Sequence, residues 1–214
     1  MDYTMDTNAL NDEYASQSPL EIIKKAIELT DGSIIVSTNF RPLEAVILHM
    51  CAELKPDMPV IWADSGYMMP QTYIFAEKTI EQLKLNVKVY NPLMTAARRD
   101  AIKGSVPGLD NEEELEEFAD LVKLEPFKRA LSEMKPDVWI TSIRKEQNPF
   151  RDTLDTFVKE GDGPLKVNPV FYWSEEQMEA YISEHNLPDE KRYFDPTKIS
   201  ENRECGLHKP GFSK

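Results

Sequence analysis

Two cysteines, Cys51 and Cys205, are the only thiols in the chain, and they sit in opposite surroundings. Cys51 follows Ile47 and Met50 and precedes Leu54, at helical spacing. A free thiol on an apolar helical face behaves as a small hydrophobe. Cys205 lies in Arg203-Glu204-Cys205-Gly206-Leu207-His208-Lys209, which has no apolar period. Cationic neighbours lower a thiol's pKa and favour the nucleophilic thiolate, so Arg203, His208 and Lys209 make Cys205 a candidate nucleophile. An incidental tail cysteine is the plainer alternative from these residues alone. Two cysteines exclude a disulfide framework, a four-cysteine zinc site and a cysteine-ligated iron–sulfur cluster. His49, His185 and His208 show no ligand spacing.

The second kind of chemistry is anion binding. Ser37-Thr38-Asn39-Phe40 offers two hydroxyls ahead of a helix N-terminus, a combination suited to phosphate oxygens. Asp64-Ser65-Gly66-Tyr67 reads as a turn closing a strand. Ile143-Arg144-Lys145-Glu146-Gln147, followed by Arg151, supplies planar guanidinium forks and one ammonium point charge. Each segment alone is equally a capped helix, a turn or a solvated basic patch. Together at one end of one sheet they form a site.

The elements that would bring them together are legible. Ser33–Ser37, Pro59–Ala63, Asn86–Tyr90 and Asp137–Thr141 are short apolar runs that read as buried strands, and Lys166–Val170 reads as a fifth. Helical periodicity lies between them: from Pro19 to Leu29 after the Ser18 cap, Leu43 to Leu54, Pro70 to Leu85, and Leu115 to Met134 with an interruption near Pro126. A capping box, Ser174 with Gln177, opens the last helix. Alternating strands and helices imply parallel pairing with right-handed crossovers. The expected fold is therefore α/β: an open doubly wound, mostly parallel sheet flanked by helices, with a flexible C-terminal catalytic tail. Ligands bind such sheets beyond the carboxyl ends of the strands. Residues 1–18 read as a mobile or loosely docked arm, 19–186 as the nucleotide-binding domain and 187–214 as the tail carrying Cys205.

The net charge of −13 disfavours nucleic acid and anionic membrane as partners. No apolar run approaches the ~20 residues of a membrane span. The polar, acidic N-terminus lacks the features of a secretory signal, so the expected compartment is the cytoplasm.

Glu204-Cys205-Gly206-Leu207-His208 resembles the C-terminal signature of the phosphoadenylyl-sulfate (PAPS) and adenylyl-sulfate (APS) reductases, sulfonucleotide reductases of the adenine nucleotide alpha-hydrolase-like superfamily. The resemblance extends over about residues 34 to 173. It includes the Ser37–Phe40 loop, Asp64–Tyr67 with Pro70-Gln71-Thr72-Tyr73, Lys123-Leu124-Glu125-Pro126 with Arg129-Ala130-Leu131, the Arg144–Arg151 segment, Lys166-Val167-Asn168-Pro169 and Trp173. It departs in two places. Arg41-Pro42 stands where the family's loop has glycine, and Tyr193–Lys198 replaces a glycine- and threonine-rich stretch. The paired cysteine and Cys-x-x-Cys of the iron–sulfur branch are absent, so the resemblance points to the cluster-free branch, whose usual substrate is PAPS.

The resemblance implies a thiolate mechanism with Cys205 as nucleophile, His208 and Arg203 beside it, and Ser37, Thr38, Phe40, Asp64, Ser65, Gly66, Tyr67, Arg144, Lys145 and Arg151 around the substrate. It implies reduced thioredoxin or glutaredoxin as co-substrate, adenosine 3′,5′-bisphosphate as product, no metal cofactor and a homodimer. APS as substrate, an ATP-using adenylating enzyme, and a non-catalytic nucleotide-binding protein of the same fold are the alternatives.

Overall fold

In the computed structural model, residues 6–14, 16–108 and 110–197 are described. They contain helices α1 (Thr7–Tyr14), α2 (Pro19–Glu28), α3 (Ala45–Leu54), α4 (Pro70–Leu83), α5 (Ala96–Lys103), α6 (Glu112–Ala119), α7 (Glu125–Met134) and α8 (Glu175–Glu184). The strands are β1 (Ile34–Thr38), β2 (Pro59–Ala63), β3 (Asn86–Tyr90), β4 (Val138–Ile140), β5 (Phe157–Lys159) and β6 (Leu165–Val167).

The sheet order is β3-β2-β1-β4-β6-β5. Every pairing is parallel except β5 with β6, which is antiparallel. Helices cover both faces, so the central strands are apolar on both. Ile34 and Val36 face one core layer with Ile22, Val46, Ile47 and Met50. Ile35 faces the other with Ile61, Trp139, Phe127 and Ala130. This two-sided burial is why the strands read as unbroken apolar runs.

Four features were not anticipated by the sequence reading. Residues 7–14, part of the expected arm, form a helix docked on the sheet edge. Asn11 donates to the Phe157 carbonyl (2.9 Å) and accepts from its N–H (2.8 Å), while Tyr14 packs edge-on to the Phe157 ring. The side-chain amide thereby occupies the outward backbone groups of edge strand β5. Strand β5 itself is only three residues long and exists through pairing with β6. The expected strand Lys166–Val170 shifts to Leu165–Val167: Asn168 N–H still donates to the Thr156 carbonyl on the β5 side (2.8 Å), but Pro169 has no N–H to extend the ladder on the β4 side. Helix α5 carries almost no apolar period; its cap, Thr95 Oγ1 accepting from Arg98 N–H at 3.3 Å, and the buried Arg99 hold it.

The interruption expected near Pro126 is a π-helical turn, Asp120–Leu124, between α6 and α7. Proline cannot donate to the carbonyl one turn back, and the Glu125 N–H reaches instead to the Asp120 carbonyl, five residues back. The wider turn directs Lys123 inward, where it is 1% exposed.

Candidate active site

The chain reverses its direction of travel across the sheet between β1 and β4: β1, β2 and β3 lie to one side, β4, β6 and β5 to the other. Adjacent strands whose connections leave in opposite directions open a crevice at their carboxyl ends. Here that crevice is a small cleft lined by Ser37, Thr38, Asn39, Glu44, Phe127, Thr141 and Ser142.

Its floor is organised by a residue the sequence reading passed over. Glu44 is 5% exposed. Its Oε2 accepts from Thr38 Oγ1 (2.7 Å), Asn39 N–H (2.9 Å) and Arg41 N–H (3.4 Å); its Oε1 accepts from Ser142 Oγ (2.8 Å) and faces Arg41 Nε at 3.3 Å. One carboxylate thus joins the loop after β1 to the loop after β4. Hydrogen bonds to a charged group contribute about 1.5–3 kcal/mol each, which can hold an otherwise strained loop. Phe40 (φ 50°) and Leu43 (φ 69°) both occupy the left-handed region, at a cost of about 1–3 kcal/mol apiece for non-glycine residues. The loop that carries Arg41-Pro42 thus has two strained residues, Phe40 and Leu43, beside the Glu44 carboxylate that binds it.

Several expected contacts change meaning. Thr38 Oγ1 donates to Glu44 and accepts from Phe40 N–H (2.9 Å), and Ser37 Oγ accepts from Trp139 Nε1 (2.8 Å). Ser37 keeps its own proton for a ligand, whereas Thr38 has none to give. Phe40 was expected at the substrate; its ring is instead 1% exposed and packs edge-on against Trp62 (4.9 Å) and Phe75 (6.4 Å).

The segment after β4 is no solvated patch. Arg144 and Arg151 are 6% and 4% exposed, whereas Lys145 is exposed with its Nζ 5.8 Å from the Tyr172 ring centre. Arg144 pairs with Glu146 and lies 3.9 Å from Glu175. Burial lowers its pKa, with the charge of Glu146 acting the other way. Arg151 sits in a 3-10 turn, Pro149–Thr153, capped by Asn148 Oδ1 accepting from its N–H (3.1 Å).

After β2, Asp64 Oδ1 accepts from Gly66 N–H (2.9 Å) and Tyr73 Oη (2.8 Å), and Oδ2 accepts from Asn91 (3.2 Å). Gly66 has φ 78°, and a Cβ there would meet Ala96 Cβ at 3.4 Å. Ser65 is 2% exposed and accepts from Tyr67 N–H (3.2 Å). Tyr67 Oη donates to Asp100 (2.6 Å), and burial together with this bond raises its pKa.

Residues 187–197, assigned to the tail, are docked across the same end of the sheet. Leu43 N–H donates to Asp189 Oδ1 (3.0 Å). Lys123 Nζ donates to Asp195 Oδ2 (2.6 Å), and Asp195 Oδ1 accepts from Thr197 N–H (3.0 Å) and Oγ1 (2.6 Å). Burial alone would raise the Asp195 pKa, but Lys123 and these bonds hold it below the usual range. Between the anchors, the Tyr193 hydroxyl is buried with no hydrogen-bond partner among the described residues. Asp189 and Asp195 were missed because Leu43 and Lys123, which they meet, are distant in sequence, and Glu44 because most of its donors are backbone N–H and hydroxyl groups that no charge pattern announces. The quoted Lys123-Leu124-Glu125-Pro126 gave one signal: a lysine just ahead of a helix-breaking proline.

Cys51 is 1% exposed, and burial pushes its thiol pKa far up, consistent with an inert core thiol. Cys205, His208 and Arg203 lie outside the described residues. Among the described residues no group of three or more His, Cys, Asp or Glu is arranged to hold a metal ion, and no helix is long and apolar enough to cross a membrane.

Fold and cleft define an α/β domain of the doubly wound class, with a small polar cleft at the switch point. The profile of the phosphoadenosine phosphosulfate reductase domain matches residues 33–195, and the chain belongs to that family. It is 32% identical over 179 residues to the phosphoadenosine 5′-phosphosulfate reductase of Synechococcus sp., covering 84% of this chain and 77% of the relative. It is 34% identical to that of Xylella fastidiosa, covering 86% and 76%. The crystal structure of phosphoadenylyl-sulfate reductase from Candida auris, a phosphate complex, superposes with a TM-score of 0.73 at 28% identity, over 85% of this chain and 86% of that one.

Proposed function

We propose that the protein reduces PAPS to sulfite and adenosine 3′,5′-bisphosphate, with thioredoxin or glutaredoxin as the electron donor, in assimilatory sulfate reduction. The observation that carries this reading is the switch-point cleft between β1 and β4. There the loop after β1 meets Ser142 of the loop after β4, which leads on to the buried Arg144 and Arg151, within the residues matched by the family profile.

The Cys205 thiolate attacks the sulfur of the bound sulfonucleotide. The S–O bond to the phosphate breaks, the nucleotide leaves as a phosphate, and the sulfonyl group stays on Cys205 as S-sulfocysteine. A phosphate leaving group needs no strong general acid. One thiolate of reduced thioredoxin then attacks the Cys205 sulfur, sulfite departs with the bonding pair, and the second thiol resolves the mixed disulfide. Two electrons pass from dithiol to substrate sulfur. Arg144 and Arg151 hold the anionic end, with Lys145 at the rim; Ser37 donates a hydroxyl; Asp64 to Tyr67 border the nucleoside; Arg203 and His208 stabilise the thiolate. The chain works without an iron–sulfur cluster, as a cytoplasmic homodimer, and residues 187–214 carry the nucleophile, their first part anchored by Asp189 and Asp195.

Sulfite release from PAPS and from APS, measured side by side with reduced thioredoxin, tests this reading. Release from PAPS at the higher kcat/KM is expected. Release from APS alone would reassign the substrate, and release from neither would reject the reaction.

A further inference from the structure

Of the residues lining the switch-point cleft, Glu44 is the one with a formal charge. A carboxylate has about four lone-pair positions. Glu44 faces five donor groups: three at Oε2, from Thr38, Asn39 and Arg41, and two at Oε1, from Ser142 and the Arg41 guanidinium. Only donors surround it, and its oxygens already take four hydrogen bonds, about as many as a carboxylate has lone-pair positions.

This matters for what the cleft admits. A terminal phosphate near neutral pH has two options beside a carboxylate. As a monoanion it must place its P–O–H proton, and the carboxylate beside it already takes four hydrogen bonds. As a dianion it brings a second negative charge next to a buried one, where the effective dielectric is far below that of water. A terminal sulfonate carries one charge rather than two and has no proton to place, so the repulsion is about half as large and no donor needs a partner. Resting on the sulfonucleotide reading above, we infer that Glu44 is a specificity-determining residue, which disfavours nucleotides ending in phosphate and thereby selects those ending in sulfate.

Glu44→Gln removes the charge and keeps most of the geometry. The amide oxygen can take the Thr38 and Asn39 donors, while the Ser142 hydroxyl rotates to accept from the amide nitrogen and the partly exposed Arg41 guanidinium turns to water. The probe is adenosine 3′-phosphate 5′-diphosphate, which carries phosphate where PAPS carries sulfate. Its inhibition constant is divided by the KM for PAPS. In Glu44→Gln this ratio should fall about ten-fold, and a fall of less than about three-fold overturns the inference. Glu44→Asp retains the charge and should retain the wild-type ratio; a matching fall there would assign the effect to loop shape and overturn it too. In the wild type alone, the ratio should rise as the terminal phosphate gains its second charge around pH 6, and a falling ratio contradicts the inference. A wild-type chain that reduces no sulfonucleotide rejects the underlying function. Reduction with an unchanged ratio in Glu44→Gln rejects the role of Glu44 alone.

Discussion

Arg144 offers the sharpest separation of binding from folding. Its guanidinium is 6% exposed, yet the carboxylates it meets are accessible: the side chains of Glu146 and Glu175 are 50% and 64% exposed. Removing the arginine leaves neither of them as a buried unpaired charge, because both can turn to water. The stability cost of Arg144→Ala should therefore stay near 1 kcal/mol, mostly from lost packing of the buried stem. Binding behaves differently. A charge-assisted, two-point contact to phosphate or sulfate contributes roughly 1.5–3 kcal/mol, which is about a 10- to 150-fold weaker Kd for adenosine 3′,5′-bisphosphate. Arg144→Lys should recover little of this, since an ammonium lacks the planar fork. Calorimetric titration alongside a thermal melt reads both quantities. Arg151→Ala should lose affinity on the same scale. Unchanged affinity in both alanine variants, with the fold intact, would refute the assignment of this segment to the substrate.

Two further outcomes follow from burial. Lys123 and Asp195 pair at 2.6 Å with side chains 1% and 5% exposed, so Asp195→Asn weakens a buried charge-assisted hydrogen bond and should cost about 1.5–3 kcal/mol, read by urea denaturation, while the Lys123→Met, Asp195→Asn double variant recovers part of the loss. Because the folded Asp195 pKa lies below its ordinary value, the stabilisation is complete above about pH 4 and disappears as pH falls through the lowered folded pKa; a pair whose contribution grew on acidification would contradict the assignment. Cys51→Ala should retain sulfite release and lose about 1–2 kcal/mol from the α3 core, whereas loss of turnover in a folded Cys51→Ala would implicate the wrong thiol.

The central architecture was legible because β1, β2 and β4 are buried on both faces and therefore unmistakably apolar. Strand β5 and helix α5 were not, since Phe157-Val158-Lys159 gains its conformation from β6 and α5 from a threonine cap and one buried arginine. The expected arm looked loose because nothing local reveals that Asn11 will meet the backbone of Phe157. At the site, the arginines and the Asp64 turn were recognisable by type. Glu44 was not: in sequence it is one acidic residue at the start of an apolar helix, and the donors that define it come from positions 38, 39, 41 and 142. Phe40 is a different case: its motif position suggested a ligand contact, and the packing of its ring against Trp62 and Phe75 is visible only in the fold.

The account rests on Cys205 as the atom that takes the sulfonyl group. Incubating the full-length protein with PAPS in the absence of reductant, followed by peptide mass mapping, tests this directly. One added sulfonate should appear on the peptide containing Cys205, and reduced thioredoxin should remove it with release of an equal amount of sulfite. An adduct on Cys51, or turnover surviving in Cys205→Ser, would contradict the mechanism.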